Sequence, residues 1–186
     1  MKIGYAFCGS FCTHARSLEV FSHLAKKHEL CPIVSTAVAT TDTRFGSADT
    51  LLARLTEISG REVIDSIVSA EPLGPKSPLD ALIIAPCTGN TLAKLAAGIT
   101  DTPVTMAAKA HLRCDRPLVI ALATNDALSA NLKNIATMME KKNVFFVPLS
   151  QDDPVSKPHS LVCDFSLIEP TLSSAMNGKQ YQRVIM

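Results

Sequence analysis

The 186-residue chain contains no tryptophan, and aromatic residues make up only 5% of it. It also lacks any apolar run near the roughly 18 residues of a membrane span, so no membrane association is expected. Charge of one sign is not in surplus: 18 Lys and Arg face 17 Asp and Glu, a net charge of +1. Electrostatics therefore singles out neither nucleic acid nor a membrane surface as a partner. The N-terminal "MKIGYAFCGS" is too short in its apolar part, and reaches a glycine–serine pair too early, to read as a signal peptide. The six cysteines include no C-x-x-C pair. That argues against a metal site and against a disulfide framework, and fits reduced thiols in a cytoplasmic protein.

Two nucleotide signatures are missing as well. A G-x-G-x-x-G fingerprint starting at Gly9 would need glycines where Phe11 and His14 stand. The second strand candidate ends at Ser35 rather than at the acidic residue that would hold a ribose. "GPKS" lacks the glycine directly before lysine and follows no strand, so there is no P-loop.

What is present is a foldable alternation. Hydrophobic residues make up 47% and charged residues 19%, enough to bury a core, and the length fits one domain over residues 1–186. "KIGYAF", "LCPIVS", "LDALIIAP", "PLVIALAT" and "NVFFVPL" are short apolar runs of strand type. Between them, Leu18, Phe21 and Leu24, then Leu51, Leu55 and Ile58, then Leu92, Leu95 and Ala96 recur at helical spacing. Gly60 and Gly98 mark helix stops, and Pro103 a helix start. Leu132, Ile135, Ala136 and Met139 predict a further helix. A last one is predicted from Leu161 to Met176, bent at Pro170. "AEPLGPKSPLD" and "PLSQDDPVSKPHS" read as exposed loops. Such alternation predicts a mostly parallel sheet with helices on both faces, its strand C-termini along one edge. Ligands bind at that edge in open α/β sheets.

The loops expected there are rich in small polar residues. Ser10, Thr13, Ser35, Thr88 and Thr91 supply hydroxyls, and Gly9 and Gly89 allow close backbone approach. Hydroxyls beside helix N-termini suit a single phosphate group; each threonine fits a helix cap equally well. Asn90 and Asn125 suit either turns or contacts to a heterocycle or carboxylate. Arg44 suits either solvent or a bidentate carboxylate contact. Of the histidines, His23 and His28 are expected in solvent and His111 against the core. His14 opens a helix at the ligand edge, facing a phosphate or water.

The stretch "APCTGNTLAKLAAGITDTPVTMAAKAHLR" resembles the strand–loop–helix of the flavoprotein family that includes flavin-containing cysteine decarboxylases and flavin prenyltransferases. Pro86–Thr91 corresponds to that family's P-A-S-A-N-T motif. Within the family, "TTDTRFG", "AEPLGPKSPLD", "IAPCTGNTLAKLA", "TNDAL" and "FVPLSQDDP" are similar, in that order, to one half of a two-component oxidoreductase of sporulating bacteria. The resemblance implies a three-layer Rossmann-like, flavodoxin-type fold and FMN held by Gly9, Ser10, Thr13, Ser35, Pro86, Thr88, Gly89, Asn90 and Thr91. It implies a homo-oligomer, a trimer or higher, and a dehydrogenase-like partner subunit carrying NAD(P). It also implies a dicarboxylate substrate, oxidised to an aromatic pyridine in the mother-cell cytoplasm, with Asn125 or Arg44 as the residue that meets it. Asn125 matches the asparagine of the decarboxylases' P-x-M-N-x-x-M motif, but Leu122, Thr124 and Leu128 replace its proline and methionines. No histidine lies between His28 and His111, where the decarboxylases use one. A decarboxylase, a prenyltransferase and a non-redox accessory subunit are the rival readings.

Overall fold

The computed structural model describes residues 1–76 and 78–186; Ser77, in the first of the two expected loops, lies outside the described residues. Strand β1 (Lys2–Phe7) leads through a short 3-10 turn (Phe11–Thr13) into α1 (His14–Ala25). Strand β2 (Glu29–Val34) is followed by α2 (Thr36–Thr40), α3 (Ala48–Ser59) and the single turn α4 (Ile67–Ala70). Then come β3 (Ala81–Cys87), α5 (Gly89–Ala97), α6 (Pro103–Leu112), β4 (Leu118–Thr124) and α7 (Leu132–Met139). The C-terminal part holds β5 (Val144–Phe146), β6 (Leu149–Ser150), β7 (Leu161–Cys163) and α8 (Ile168–Ala175).

Strands β2, β1, β3, β4 and β5 pair side by side, all parallel. This is the flavodoxin order 2-1-3-4-5, with its switch point between β1 and β3. Every residue of β3 is buried, so both faces of the sheet's centre are covered. One hydrophobic cluster runs from Ile3 to Ala175. Its aromatics gather under α1: the Phe21 ring meets Tyr5 and Phe7 edge-on, with centroids 5.3 and 5.9 Å away.

The local signals act as expected at most boundaries. Gly60 and Gly98 end α3 and α5 at φ +65° and +73°, where a side chain would be strained. Pro103 sits in the first turn of α6 behind a Thr102–Thr105 capping box. Pro32 is tolerated because β2 is an outer strand. The backbone there turns outward to Ile64, whose N–H donates to the Pro32 carbonyl at 2.9 Å, so the missing N–H leaves no gap in the β1 ladder.

Other expectations are corrected. "NVFFVPL" is not one strand: β5 stops at Phe146, and beyond Pro148 the chain turns into β6, antiparallel to β7. The predicted helix from Leu161 instead starts as β7, which covers the edge that β4 exposes at Ala123 and Thr124 once β5 has ended. Helix α8 begins at Ile168, so Pro170 falls in its first turn, where no N–H needs a helical partner, and it causes no bend. In α7 the buried residues are Ile135 and Met138; Leu132 and Met139 are 50% and 39% exposed. Finally, "AEPLGPKSPLD" is not simply an exposed loop, since Leu73 and Leu79 are buried. Among the described residues, no helix is long and apolar enough to cross a membrane.

Candidate functional site

A cavity of about 580 Å³ opens at the C-terminal edge of the sheet. Each wall comes from a different strand end. Gly9–Thr13 follow β1, Arg44 and Phe45 lie beyond β2, Thr88–Asn90 follow β3, and Thr124–Asp126 close β4. The loop between β6 and β7 adds Asp152, Lys157 and Ser160. The switch-point rule predicts a ligand site at this place.

Eight of the residues singled out in the sequence line this one cavity: Gly9, Ser10, Thr13, Arg44, Thr88, Gly89, Asn90 and Asn125. Ser35, Pro86 and Thr91 do not. The Ser35 hydroxyl caps α2, accepting from the Val38 N–H at 3.4 Å. Pro86 is buried in β3 behind a cis Ala85–Pro86 peptide, its carbonyl accepting from the Cys8 N–H. Thr91 is buried in the first turn of α5, where its Oγ1 accepts from the Thr88 hydroxyl at 3.1 Å.

The hydroxyls divide into committed and open groups. Thr13 Oγ1 donates to the Ser10 carbonyl at 2.8 Å. Thr88 Oγ1 accepts from the Thr91 N–H at 3.2 Å, so it caps α5 while still facing the cavity. The Ser10 side chain makes no cap bond. The Asn90 and Asn125 amides and the Arg44 guanidinium meet no hydrogen-bonding side chain or carbonyl among the described residues. The first-turn N–H groups of α5 precede its first internal hydrogen bond and point the same way.

Arg44 is placed by a tight turn. Thr43 and Gly46 exchange two backbone hydrogen bonds of 3.0 and 3.1 Å, and Gly46 takes φ +139°, which only glycine adopts without strain. Asp42 fixes the turn's base by accepting from the Ala48 N–H at 2.9 Å. The guanidinium lies over the Phe45 ring, 4.9 Å from its centroid. Asp42 thus anchors α3 and does not face the ligand.

A network that the sequence did not announce sits beside Gly89. Asp126 accepts from Thr124 Oγ1 at 2.5 Å and from Asn131 Nδ2 at 2.9 Å to each oxygen. A Cβ on Gly89 would come within 2.6 Å of Thr124 Oγ1 and 2.9 Å of Asp126 Oδ1, with the Asn131 amide closer still. Only glycine leaves room for a carboxylate at the start of α5, where the helix dipole favours negative charge. Asp126 and Asn131 read as ordinary turn residues in sequence; the pairing with Gly89 crosses two strands.

His14 turns its ring inward, away from the cavity at the sheet edge. It packs against Phe7 and Phe11, and its Nε2 donates to the Cys8 carbonyl at 2.8 Å. Burial holds its pKa below the usual imidazole value. His111, 1% exposed, behaves alike: Nε2 donates to the Pro117 carbonyl at 2.9 Å, Nδ1 has no partner, and burial lowers its pKa. His23 pairs with Glu169 at 3.1 Å, whereas His28 buries an unpartnered Nδ1, against the expectation of solvent for both. The Cys8 thiol, fully buried, is pushed up to about 11 and stays protonated at neutral pH.

The two lowered histidines give a signed prediction. The unfolded chain titrates them near 6.5, and the folded chain only at lower pH, so the unfolded state binds more protons in between. Their stabilisation is complete above about pH 6.5 and is lost as pH falls through the folded values. Melting temperature should therefore drop between about pH 7 and 5. The slope should flatten in a His14→Gln/His111→Gln variant; an unchanged slope would remove these residues as its cause.

A flavodoxin-order sheet with open phosphate-type donors at its switch point is a flavoprotein architecture. The chain belongs to the flavoprotein family, whose model matches residues 1–173. It is 44% identical to the B-type subunit of dipicolinate synthase from Bacillus subtilis over 186 residues, covering 100% of this chain and 93% of that one. The crystal structure of the B-type dipicolinate synthase subunit from Bacillus halodurans superposes with a TM-score of 0.91 at 41% identity, covering 100% of this chain and 95% of that one. An FMN-dependent cysteine decarboxylase shares the fold, with a TM-score of 0.68 at 23% identity over 94% of this chain and 97% of its own.

Proposed function

We propose that this chain, as a single domain over residues 1–186, is the flavin-fold component of a dipicolinate synthase. It acts with the synthase's other component, a dehydrogenase-like protein that carries NAD(P), to convert dihydrodipicolinate to dipicolinate in the mother-cell cytoplasm during sporulation. The observation that carries this reading is the open donor set at the switch point: Ser10, Arg44, Asn90 and Asn125 converge on one cavity without protein partners. Sequence identity to the B-type dipicolinate synthase relatives gives the substrate class.

The residues present fit FMN. Its phosphate would draw on Ser10, the Gly9 backbone and the first-turn N–H groups of α5, since the Ser35 hydroxyl is committed to its own helix. The cavity volume lies within the roughly 300–1,000 Å³ of small-molecule sites. When bound, FMN supplies a two-electron acceptor. The chain's own part is positioning: Arg44 takes a substrate carboxylate and Asn125 donates to the ring or to the same carboxylate. Leu128, Leu132 and Met139, exposed at helical spacing, start three residues beyond Asn125. A second copy docking on that stripe, in a trimer or larger assembly, would close the cavity's open side.

A second reading has its own support. With Ser35, Thr88 and Thr91 all bound to protein and the Asp126 carboxylate at the start of α5, the site also suits a non-redox accessory role. Titration separates the two. The purified chain should turn yellow with FMN and quench its fluorescence at micromolar flavin. It should then bleach anaerobically when the dehydrogenase-like partner and dihydrodipicolinate are added. Refusal of FMN would sink the flavin reading; binding without bleaching would select the accessory role.

A further inference from the structure

The loop between β6 and β7 brings a second cation to the cavity. Lys157 lines the wall opposite Arg44: the sheet order puts the turn beyond β2 on one flank and the strand β7 on the other. Between the two flanks lie Thr88–Asn90 and Asn125.

This loop is built rather than loose. Lys157 N–H donates to the Asp153 carbonyl at 2.8 Å, and Ser156 N–H to Asp153 Oδ1 at 2.9 Å. Gln151 Nε2 donates to the Pro158 carbonyl at 3.0 Å, and Ser160 Oγ reaches the Thr124 carbonyl at 3.4 Å, tying the loop to the end of β4. The Lys157 ammonium donates to Asp152 Oδ2 at 3.1 Å. An ammonium has three donors, so two stay open toward the cavity. Asp152, whose carboxyl is held low by Ser160 and then by Lys157, steadies the side chain's aim.

We propose that Lys157 is a specificity-determining residue that anchors the second carboxylate of a dicarboxylate whose first is held by Arg44. This rests on the proposed function, which supplies the ligand class. One cation recognises a carboxylate; two on opposite walls recognise the spacing between two. The plain alternative is an exposed ion pair with Asp152, of the kind that contributes little.

Selectivity distinguishes these. The FMN-saturated full-length chain is titrated calorimetrically with pyridine-2,6-dicarboxylate and with pyridine-2-carboxylate. The unaltered chain should prefer the dicarboxylate by about tenfold or more, as a hydrogen bond between charged groups warrants. Lys157→Ala should erase the preference by weakening the dicarboxylate alone, and Lys157→Arg should restore most of it. Asp152→Asn, which removes the competing carboxylate, should tighten the dicarboxylate. If Lys157→Ala keeps the full preference, or weakens both ligands equally, the anchor is overturned while the proposed function stands. If the unaltered chain binds neither pyridine acid, both fall.

Discussion

Gly89→Ala should destabilise the protein by about 3 kcal/mol, combining overpacking with the breaking of buried hydrogen bonds. For a chain of this size that lowers the melting temperature by about 9 °C. The added methyl would press on three polar atoms at once, Thr124 Oγ1, Asp126 Oδ1 and Asn131 Nδ2. All three belong to short side chains locked to one another, so none can swing away without losing a hydrogen bond. Asn131 is itself only 5% exposed, which blocks retreat into solvent. Because Asp126 and Thr124 form the cavity wall, the strain also reaches the ligand, and FMN affinity should fall with stability. A double-mutant cycle checks the cause. In an Asn131→Ala background the nearest obstacle is gone, so Gly89→Ala should cost clearly less than it does alone. Strict additivity would mean that the clash is not the origin of the loss.

Gly89 also marks where the sequence stops being legible. Strand and helix signals are local, and they place most of the elements: β1 matches "KIGYAF" and α3 and α5 end at their glycines. The failures have one physical origin, which is contact with distant chain. Leu161–Cys163 became a strand because β4 offers an unpaired edge there, and nothing within the segment encodes that edge. Helix α7 turned Leu132 and Met139 outward although they repeat at helical spacing, since periodicity does not say which side meets the core. At the site, strand-end position found the cavity's residues, but not which hydroxyls were already engaged. Ser35 and Thr91 look alike in sequence to Ser10; only their caps and neighbours separate them. Lys157 lay in a segment that composition marks as a loop, with no sign that it returns to the sheet edge.

The scarcity of aromatics makes the few that exist consequential. Phe21→Ala should cost about 4 kcal/mol, at the upper part of the range for a large buried ring. Roughly 12 °C should be lost from the melting temperature. The ring is fully buried and meets Tyr5 and Phe7 edge-on, so its removal takes away both transfer energy and ring–ring contact and leaves a void. With no tryptophan in the chain, the neighbours that would have to fill that void are smaller. Phe21 also holds α1 to the sheet, and α1 starts where the Gly9–Thr13 loop ends. The loop has independent ties, however. Ser17 Oγ donates to the Ala85 carbonyl at 2.6 Å, and Tyr5 OH lies 3.0 Å from Ser17 Oγ, so the first turns of α1 remain pinned to β1 and β3. Below its lowered melting temperature the Phe21→Ala variant should therefore bind FMN nearly as tightly as the unaltered chain. Ser17→Ala should do the reverse. Its stability cost should be smaller, about 2 kcal/mol for the carbonyl left without its donor, but FMN affinity should fall, because the tie nearest the loop is the one removed. Measuring melting temperature and flavin affinity on both variants separates the two ties. If both properties fell together in both variants, α1 would hold the loop as a single rigid unit, and the ties could not be assigned separately.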